Sequence, residues 1–201
     1  MGRRPNPQRK VDLLGEIVEY ILENGLSDLS LRPLAKELGT STYTLTYQFG
    51  SKEAMVVDAV THIDQTQADR FSEADATSDN PVDTAQKMWD LSISDDGLAW
   101  SQVMLEVATV TSRQPILFDS FVSSATVGRI NKFAEAFGGA TFTAVDCARA
   151  TMTVSALNGL VYDRLLTGDV SRTNMALGCM LRTLSENALL KSEIFDEVAS
   201  A

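Results

Sequence analysis

A cluster of uncharged hydrogen-bonding side chains follows a glycine near the N-terminus of the chain. Hydroxyl, amide and methyl groups of this kind suit the edges of nucleic-acid bases and the oxygens of phosphates. Nothing in the cluster is arranged for catalysis, so the chemistry that it predicts is binding. The residues concerned are Thr42, Tyr43, Thr44, Thr46, Tyr47 and Gln48.

The residues around this cluster have the spacing of a helix-turn-helix. In residues 31–50, LRPLAKELGTSTYTLTYQFG, small Ala35 stands where two helices would cross, and Gly39 stands at the turn. With that arrangement the polar residues of the second helix face outward. The residues predicted to point inward are Leu34, Leu38, Leu45 and Phe49.

Basic side chains close to the motif are candidates for phosphate contacts. Arg9 and Lys10 begin the first predicted helix, and Arg32 lies in the first turn of the second. We expect each of the three to approach a phosphate. Arg3 and Arg4 fit a DNA-contacting arm and a solvated tail equally well.

The start of the fourth predicted helix offers a further phosphate site. Ser51 is its predicted N-cap, and Lys52 and Glu53 follow in the first turn. Backbone amides in a first turn have no intrahelical acceptor, and the positive end of the helix dipole favours an anion. Lys52 and the neighbouring amides are therefore predicted to bind a phosphate oxygen.

Turn and capping residues divide the chain into helices, and no alternating strand pattern appears. Three helices precede residue 52, and the remaining segments form a larger helical body. The sequence therefore predicts an all-α protein of about nine helices, with a helix-turn-helix DNA-binding domain over residues 1–52 and a helical domain over residues 53–201. The clearest helices are expected at about 7–24, 31–38, 42–49, 52–75, 144–166 and 171–190.

Composition and charge narrow the possible functions. The 201 residues are 44% hydrophobic and 22% charged, which is typical of a folded globular protein. No run of eighteen apolar residues occurs, so we expect no membrane span and a cytoplasmic location. Residues 1–55 carry seven basic and seven acidic side chains, so the rest of the chain holds the whole net charge of -10. Any contact with a polyanion must therefore come from the N-terminal segment.

Catalytic and metal-binding patterns are missing from the sequence. The single histidine is His62, and the two cysteines, Cys147 and Cys179, are too far apart for a local metal site. No nucleophile elbow, phosphate-binding glycine loop or H-E-x-x-H occurs. We expect no enzymatic activity, no metal and no cofactor. His62 is interpreted as packed or solvated, and burial of both cysteines is favoured over redox sensing.

Residues 9–57, and above all the run LAKELGTSTYTLTYQFGSKEAM, resemble the DNA-binding domain of the TetR family of bacterial repressors. The third helix of that family typically reads G-V-S-x-G-x-L-Y-Y-H-F and is followed by x-S-K-E. The resemblance implies a domain that binds operator DNA and a larger domain that binds an effector and dimerises. The matching residues are Leu38, Gly39, Ser41, Leu45, Tyr47, Phe49, Ser51, Lys52 and Glu53.

Three residues depart from the family pattern. Tyr43 replaces the usual glycine, Thr46 the first tyrosine, and Gln48 the usual histidine. These changes leave the expected fold intact but make the operator unpredictable. Tyr43 adds a ring at the groove-facing start of the third helix, within reach of a thymine methyl or a phosphate.

The resemblance also implies roles for individual side chains. Tyr47 and Lys52 are expected to hold phosphates, whereas Thr42, Tyr43 and Thr44 are expected to approach bases. The full predicted DNA-contacting set is Arg9, Arg32, Ser41, Thr42, Tyr43, Thr44, Thr46, Tyr47 and Lys52.

Large apolar side chains of the larger domain are candidates for an effector pocket. Aromatic and methionine residues also fill protein cores, and only the family resemblance favours the pocket. Apolar side chains with few charges among them favour a largely hydrophobic or aromatic effector for this domain. The candidates are Trp89, Trp100, Met104 and Phe121.

The last two predicted helices carry apolar stripes that suit a four-helix bundle across a two-fold axis. Ala148, Ser155 and Gly159 make a neighbouring face small, which permits close helix approach. An intramolecular core explains the same stripes, so periodicity leaves both alternatives open. The predicted interface residues are Val154, Leu157, Val161, Leu165, Leu177, Leu181 and Leu184.

Together these features predict a ligand-responsive repressor that acts as a homodimer on a palindromic double-stranded DNA operator. A small effector, largely apolar, would release it. Half-sites of helix-turn-helix dimers lie about 34 Å apart or at a multiple of that distance. The alternative is a helical small-molecule carrier whose N-terminal unit no longer binds DNA, because the acidic body and altered third helix are compatible with poor DNA affinity.

Overall fold

The computed structural model describes residues 7–78, 80–113 and 115–189. Within these ranges the chain is all-α, as the sequence predicts, with nine α-helices and no strand. None of the helices in this part of the chain is both long and apolar enough to cross a bilayer. The helices are α1 (Pro7–Asn24), α2 (Leu31–Glu37), α3 (Thr42–Phe49), α4 (Lys52–Asp75), α5 (Pro81–Ser92), α6 (Asp95–Arg113), α7 (Pro115–Gly138), α8 (Ala144–Thr167) and α9 (Val170–Leu189), with a 3-10 turn at Gly139–Thr141.

Capping side chains explain where several helices begin. The Ser41 hydroxyl accepts a hydrogen bond from the backbone N–H of Thr44, and the Ser51 hydroxyl accepts one from Ala54. The predicted Ser51 cap is confirmed. Ser30 occupies the N-cap position of α2, but its side chain makes no capping hydrogen bond.

The described chain divides into two compact units. The first contains the residues up to Asp69 together with Asp95–Ser123, and the second contains Arg70–Ser94 together with the residues from Ser124 onwards. The predicted boundary after residue 52 lies inside the first unit, because α6 packs against α1 there. The division at residue 52 stays a prediction about function and does not follow the packing.

The first three helices enclose an apolar core. Leu13, Ile17 and Ile21 recur every fourth residue along α1, so they share one side of the helix, and all three are fully buried. Each such burial stabilises the fold by about 1.5–3 kcal/mol. Leu38, expected to point inward, is only half-buried. The other residues predicted to point inward are buried, namely Leu34, Leu45 and Phe49.

A carboxylate on α6 holds the chain where it leaves α1. Glu106 Oε2 accepts hydrogen bonds from the Leu26 N–H at 2.6 Å and from the Ser27 hydroxyl at 3.1 Å. Gly25 has a φ of 75°, and a Cβ at this position would lie 2.6 Å from Glu106 Oε1. Gly25 therefore ends α1 and also leaves room for the carboxylate.

In the second unit, α5, α8 and α9 pack around a buried arginine. Arg164 is 9% exposed and donates hydrogen bonds to the side chains of Thr173 and Asn174 at 3.1 and 2.5 Å. Its guanidinium also lies 4.8 Å from the ring centroid of Trp89. A buried charge is tolerated where hydrogen bonds and an aromatic face replace its water, so Arg164 joins the three helices.

The residues predicted at the dimer interface serve mainly the core of the single chain. Leu165 and Leu181 are half-buried. The other five are 1–6% exposed, namely Val154, Leu157, Val161, Leu177 and Leu184. For these five the intramolecular alternative describes the structure, because the stripes on α8 and α9 face each other and α5. The homodimer stays a prediction and requires a different set of side chains.

The Glu106 contact leads to a stability prediction. Replacing Glu106 with alanine leaves the Leu26 N–H without its acceptor, so we expect the free energy of unfolding to fall by about 1–3 kcal/mol. Glu23→Ala is the control, because Glu23 is exposed on α1, and it should change stability by less than about 0.5 kcal/mol. Urea denaturation at one fixed protein concentration measures both. Equal losses in the two variants would contradict the assigned role of Glu106.

Candidate DNA-binding site

The turn between α2 and α3 is closed by backbone hydrogen bonds. Gly39 adopts a φ of 57°, which a residue with a Cβ rarely tolerates. Its neighbour Thr40 donates its N–H to the Ala35 carbonyl at 2.9 Å, and the Leu38 N–H bonds to Leu34 O at 3.0 Å. This pattern ends α2 and redirects the chain into α3.

The first turn of α3 is closed by paired hydroxyls. Ser41 Oγ lies 2.9 Å from Thr44 Oγ1 in addition to accepting the Thr44 N–H at 3.0 Å. Thr44 is half-buried, whereas Thr42 is exposed at the first position of the helix. Of the two threonines expected to approach bases, Thr42 is therefore the more accessible, and the Thr44 hydroxyl is engaged with the cap.

Two further polar side chains of α3 have groups that are bonded to the helix itself or buried. Thr46 Oγ1 donates to the carbonyl oxygens of Thr42 and Tyr43, each at 3.1 Å, so its hydroxyl hydrogen is used by its own helix. Gln48 Oε1 is buried without a hydrogen-bond partner. The hydrogen-bonding capacity predicted for this helix is therefore smaller than its sequence suggests.

The exposed side of α3 is aromatic. The rings of Tyr43 and Tyr47 stack with their centroids 6.1 Å apart and an interplanar angle of 20°. Tyr43 is 74% exposed and Tyr47 42%, although both are large and partly apolar. Their spacing of four residues places them on one face of the helix, where the stack restricts the orientation of both rings.

The N-terminus of α4 carries a negative charge of its own. Hydrogen bonds from its own backbone N–H and from the Ser51 hydroxyl hold the pKa of the Glu53 carboxyl below its ordinary value. The contact between this helix start and a phosphate stays a prediction. Lys52, half-buried next to Glu53 in the chain, is the side chain that is predicted to contact the phosphate.

The basic residues near the motif differ in what they contact. Lys10 Nζ lies 2.7 Å from Asp58 Oδ2 and 5.2 Å from the centroid of the Phe49 ring. The expectation that Lys10 approaches a phosphate stays a prediction, and in this structure the charge of Lys10 is paired with Asp58 on α4. Arg9 Nη1 lies 3.8 Å from Glu16 Oε1. Arg32 is exposed, and Arg3 and Arg4 lie outside the described residues.

A family comparison identifies the N-terminal segment. Residues 13–59 match the family model described as bacterial regulatory proteins of the tetR family. This segment contains the whole helix-turn-helix and the start of α4. Over these residues the chain is similar to the DNA-binding domain of TetR-family transcriptional regulators.

Solved structures share the fold of this chain over most of its length. A transcriptional regulator from Rhodococcus sp. Rha1 has a TM-score of 0.75 at 17% identity, covering 89% of this chain and 96% of that one. A TetR-family regulator from Agrobacterium tumefaciens has a TM-score of 0.70 at 16% identity, covering 89% and 99%. The multidrug binding protein EbrR, complexed with imidazole, has a TM-score of 0.66 at 19% identity, covering 92% and 94%. No curated protein matches the sequence.

The match to the TetR family model over residues 13–59 bears on several predictions. Regulators of this family bind DNA and small-molecule effectors, typically as dimers, and they are not enzymes. The helix-turn-helix DNA-binding domain and the prediction of no enzymatic activity are therefore confirmed. The contacts of individual residues with DNA stay predictions.

The predicted pocket residues are distributed over both compact units. Trp100 and Met104 lie on α6 in the first unit and Trp89 lies on α5 in the second, all at most 9% exposed. The side chain of Phe121 lies outside the described residues. A polar cavity of about 380 Å³ occurs in the second unit, and none of the three described candidates, Trp89, Trp100 and Met104, lines it. Its lining consists of Asp75, Ser78, Asn80, Thr84, Lys132, Glu135, Ala136 and Gly139.

The remaining candidate residues lie at or near the surface. His62 is exposed, and Cys147 is half-buried. Cys179 is exposed as well, so its predicted burial is wrong, because the buried stripe of α9 passes through Leu177 and Leu184 instead. Among the described residues, no group of three His, Cys, Asp or Glu side chains is placed to hold a metal ion.

The sequence analysis did not predict the role of Glu106, which holds the connection between α1 and the helix-turn-helix. It lies 80 residues beyond Leu26, from whose backbone N–H it accepts a hydrogen bond, and no local sequence pattern links positions so far apart. The Tyr43 and Tyr47 stack, by contrast, follows from their spacing of four residues on a helix.

The cap of α3 gives a testable difference between two serines. We expect Ser41→Ala to lower the free energy of unfolding by about 0.5–2 kcal/mol, because the N-cap hydrogen bond of α3 is lost. Ser30→Ala is the matched control, since Ser30 occupies the same position in α2 without a capping bond, and its effect should stay below about 0.5 kcal/mol. Thermal or urea unfolding compares them. A larger loss at Ser30 than at Ser41 would show that the cap has been assigned to the wrong helix.

Proposed function

We propose that this regulator is a ligand-responsive repressor that binds a palindromic DNA operator as a homodimer. The observation that carries the proposal is the exposed face of α3, where Thr42, Tyr43 and Tyr47 stand outside a closed helix-turn-helix core. A helix presented in this way fits the major groove of DNA. Two copies related by a two-fold axis read two equivalent half-sites, which requires a palindrome. We propose a cytoplasmic location, which is consistent with a DNA target.

Phosphate contacts in this proposal come from a few residues around α3. Lys52 at the start of α4, Arg32 at the start of α2 and Arg9 on α1 supply the positive charge. Ser41, Thr44 and Thr46 support α3 mainly through their hydrogen bonds. Because the body of the chain is acidic, these few cations orient the protein with its N-terminal segment toward DNA.

The exposed side of α8 is the surface that we propose for dimerisation. Small and apolar residues recur there with alternating steps of four and three, which is the spacing that packs one helix against another. Met152 is 55% exposed and Leu166 81%, and on α9 Met175 is 64% exposed. The α8 face consists of Ala148, Met152, Ser155, Gly159, Tyr162 and Leu166.

The effector is proposed to act through α6. Trp100 and Met104 lie four residues apart on this helix and are both buried, which suits one wall of an apolar pocket. Glu106 follows on the same helix and bonds to the chain after α1. EbrR, which has a similar fold, is described as a multidrug binding protein, and this supports an effector of that class. A coupling of about 1–3 kcal/mol changes DNA affinity about 5- to 150-fold.

Selection of bound fragments from a random duplex library tests the function directly. The purified protein should enrich a palindromic sequence at moderate salt. Failure to enrich any sequence, with the protein folded, would favour the small-molecule carrier instead. Adding apolar and aromatic compounds to the complex then tests release, and a repressor should dissociate with at least one of them.

Lys52 provides the test of the phosphate contacts. We expect Lys52→Ala to weaken binding about equally on operator and random DNA and to reduce the slope of log K against log salt by about 0.9 for each phosphate that the lysine neutralises. Lys132→Ala is the control, because Lys132 is an exposed lysine of the second unit, and its salt slope should not change. Affinities measured at four or more salt concentrations give the slopes. A weakening confined to one DNA sequence would show that Lys52 binds a base.

Two exposed glycines test the dimer surface. Gly159 on α8 and Gly128 on α7 are both helical and exposed, and a Cβ at either position meets nothing within 4 Å. Gly159→Gln should raise the dimer dissociation constant about 5- to 150-fold, because overpacking an interface costs about 1–3 kcal/mol. Gly128→Gln should leave it unchanged. Sedimentation velocity over a dilution series distinguishes them, and equal dissociation constants would contradict the proposed surface.

A further inference from the structure

Helix α3, which is proposed to enter the major groove, has few polar groups left for hydrogen bonds to bases. The Thr46 hydroxyl donates to the helix backbone, and the Thr44 hydroxyl is paired with Ser41. The amide oxygen of Gln48 is buried. No residue from Thr42 to Phe49 is charged.

Hydrogen-bond readout of a purine in the major groove needs two groups from one side chain. Arginine or lysine recognises guanine, and asparagine or glutamine recognises adenine through its amide oxygen and nitrogen together. On α3 the only amide side chain is Gln48, whose oxygen cannot reach a base while it is buried. The helix therefore lacks a side chain that makes either bidentate pairing.

Apolar surface takes the place of these groups. Tyr43 is 74% exposed at the start of α3, and its ring is held in a stack with Tyr47. The methyl group of Thr42 stands beside it on an exposed residue. In the major groove the apolar feature of a base pair is the 5-methyl group of thymine, which threonine methyls and aromatic rings contact.

We propose that α3 selects its operator chiefly through thymine methyl groups, with Tyr43 as the main specificity-determining residue. The inference rests on the proposed DNA-binding function. It differs from a readout by hydrogen bonds because deoxyuridine, which lacks only the methyl group, presents the same donors and acceptors as thymine. An operator read in this way contains thymine at the positions that Tyr43 and Thr42 face.

Replacement of thymine by deoxyuridine, one position at a time in the enriched duplex, tests the proposal. At the contacted positions we expect the dissociation constant to rise about 4-fold for each methyl group removed, the change that corresponds to about 0.8 kcal/mol for a buried methylene-sized group. Equal affinity for the thymine and deoxyuridine duplexes at every position overturns the inference. Such a result leaves DNA binding itself intact, whereas a library that yields no bound sequence overturns both proposals.

A mutant cycle separates a direct contact from an effect of the methyl group on DNA shape. With Tyr43→Ala the preference for thymine over deoxyuridine should disappear at one position of each half-site. Tyr43→Phe should retain it, because the ring and not the phenol hydroxyl makes the contact. Lys52→Ala should weaken binding while the preference stays unchanged. Retention of the full preference at every position in Tyr43→Ala would overturn the assignment of Tyr43.

Discussion

The turn between α2 and α3 determines which side chains α3 exposes. Gly39 takes a positive φ, and Ser41 then caps α3, so the start of the helix is fixed within one residue. Successive residues of an α-helix are about 100° apart around the axis, because one turn contains about 3.6 residues. With Leu45 fixed in the core, Tyr43 and Tyr47 must lie outside. The exposed aromatic face is therefore a consequence of the turn.

The charge distribution favours the N-terminal segment for the proposed approach to DNA without making this segment strongly attractive to a polyanion. The segment is formally neutral, Lys10 is paired with Asp58, and the ionised Glu53 lies at the start of α4. Affinity must then come from a few phosphate contacts and from the close fit of α3 in the groove. A modest total affinity suits an effector-controlled regulator, because a coupling of a few kcal/mol is enough to release it.

Helix α6 links the two proposed activities within one compact unit. It carries the buried Trp100 and Met104, and Glu106 on the same helix accepts a hydrogen bond from the backbone N–H of Leu26. Gly25 permits this contact because it has no Cβ to meet the carboxylate. The helix that is expected to sense an effector is thus bonded directly to the connection before α2.

The sequence by itself determined the helices, the turn and the resemblance of the N-terminal segment to a TetR-family DNA-binding domain, because caps, glycines and apolar periodicity act over a few residues. Tertiary structure decided the rest. It assigned the α8 and α9 stripes, including Leu157 and Leu177, to the core of one chain, since periodicity is the same for a core and an interface. It also paired Lys10 with Asp58 and Glu106 with Leu26. Such contacts join residues far apart in the chain, and only packing brings them together.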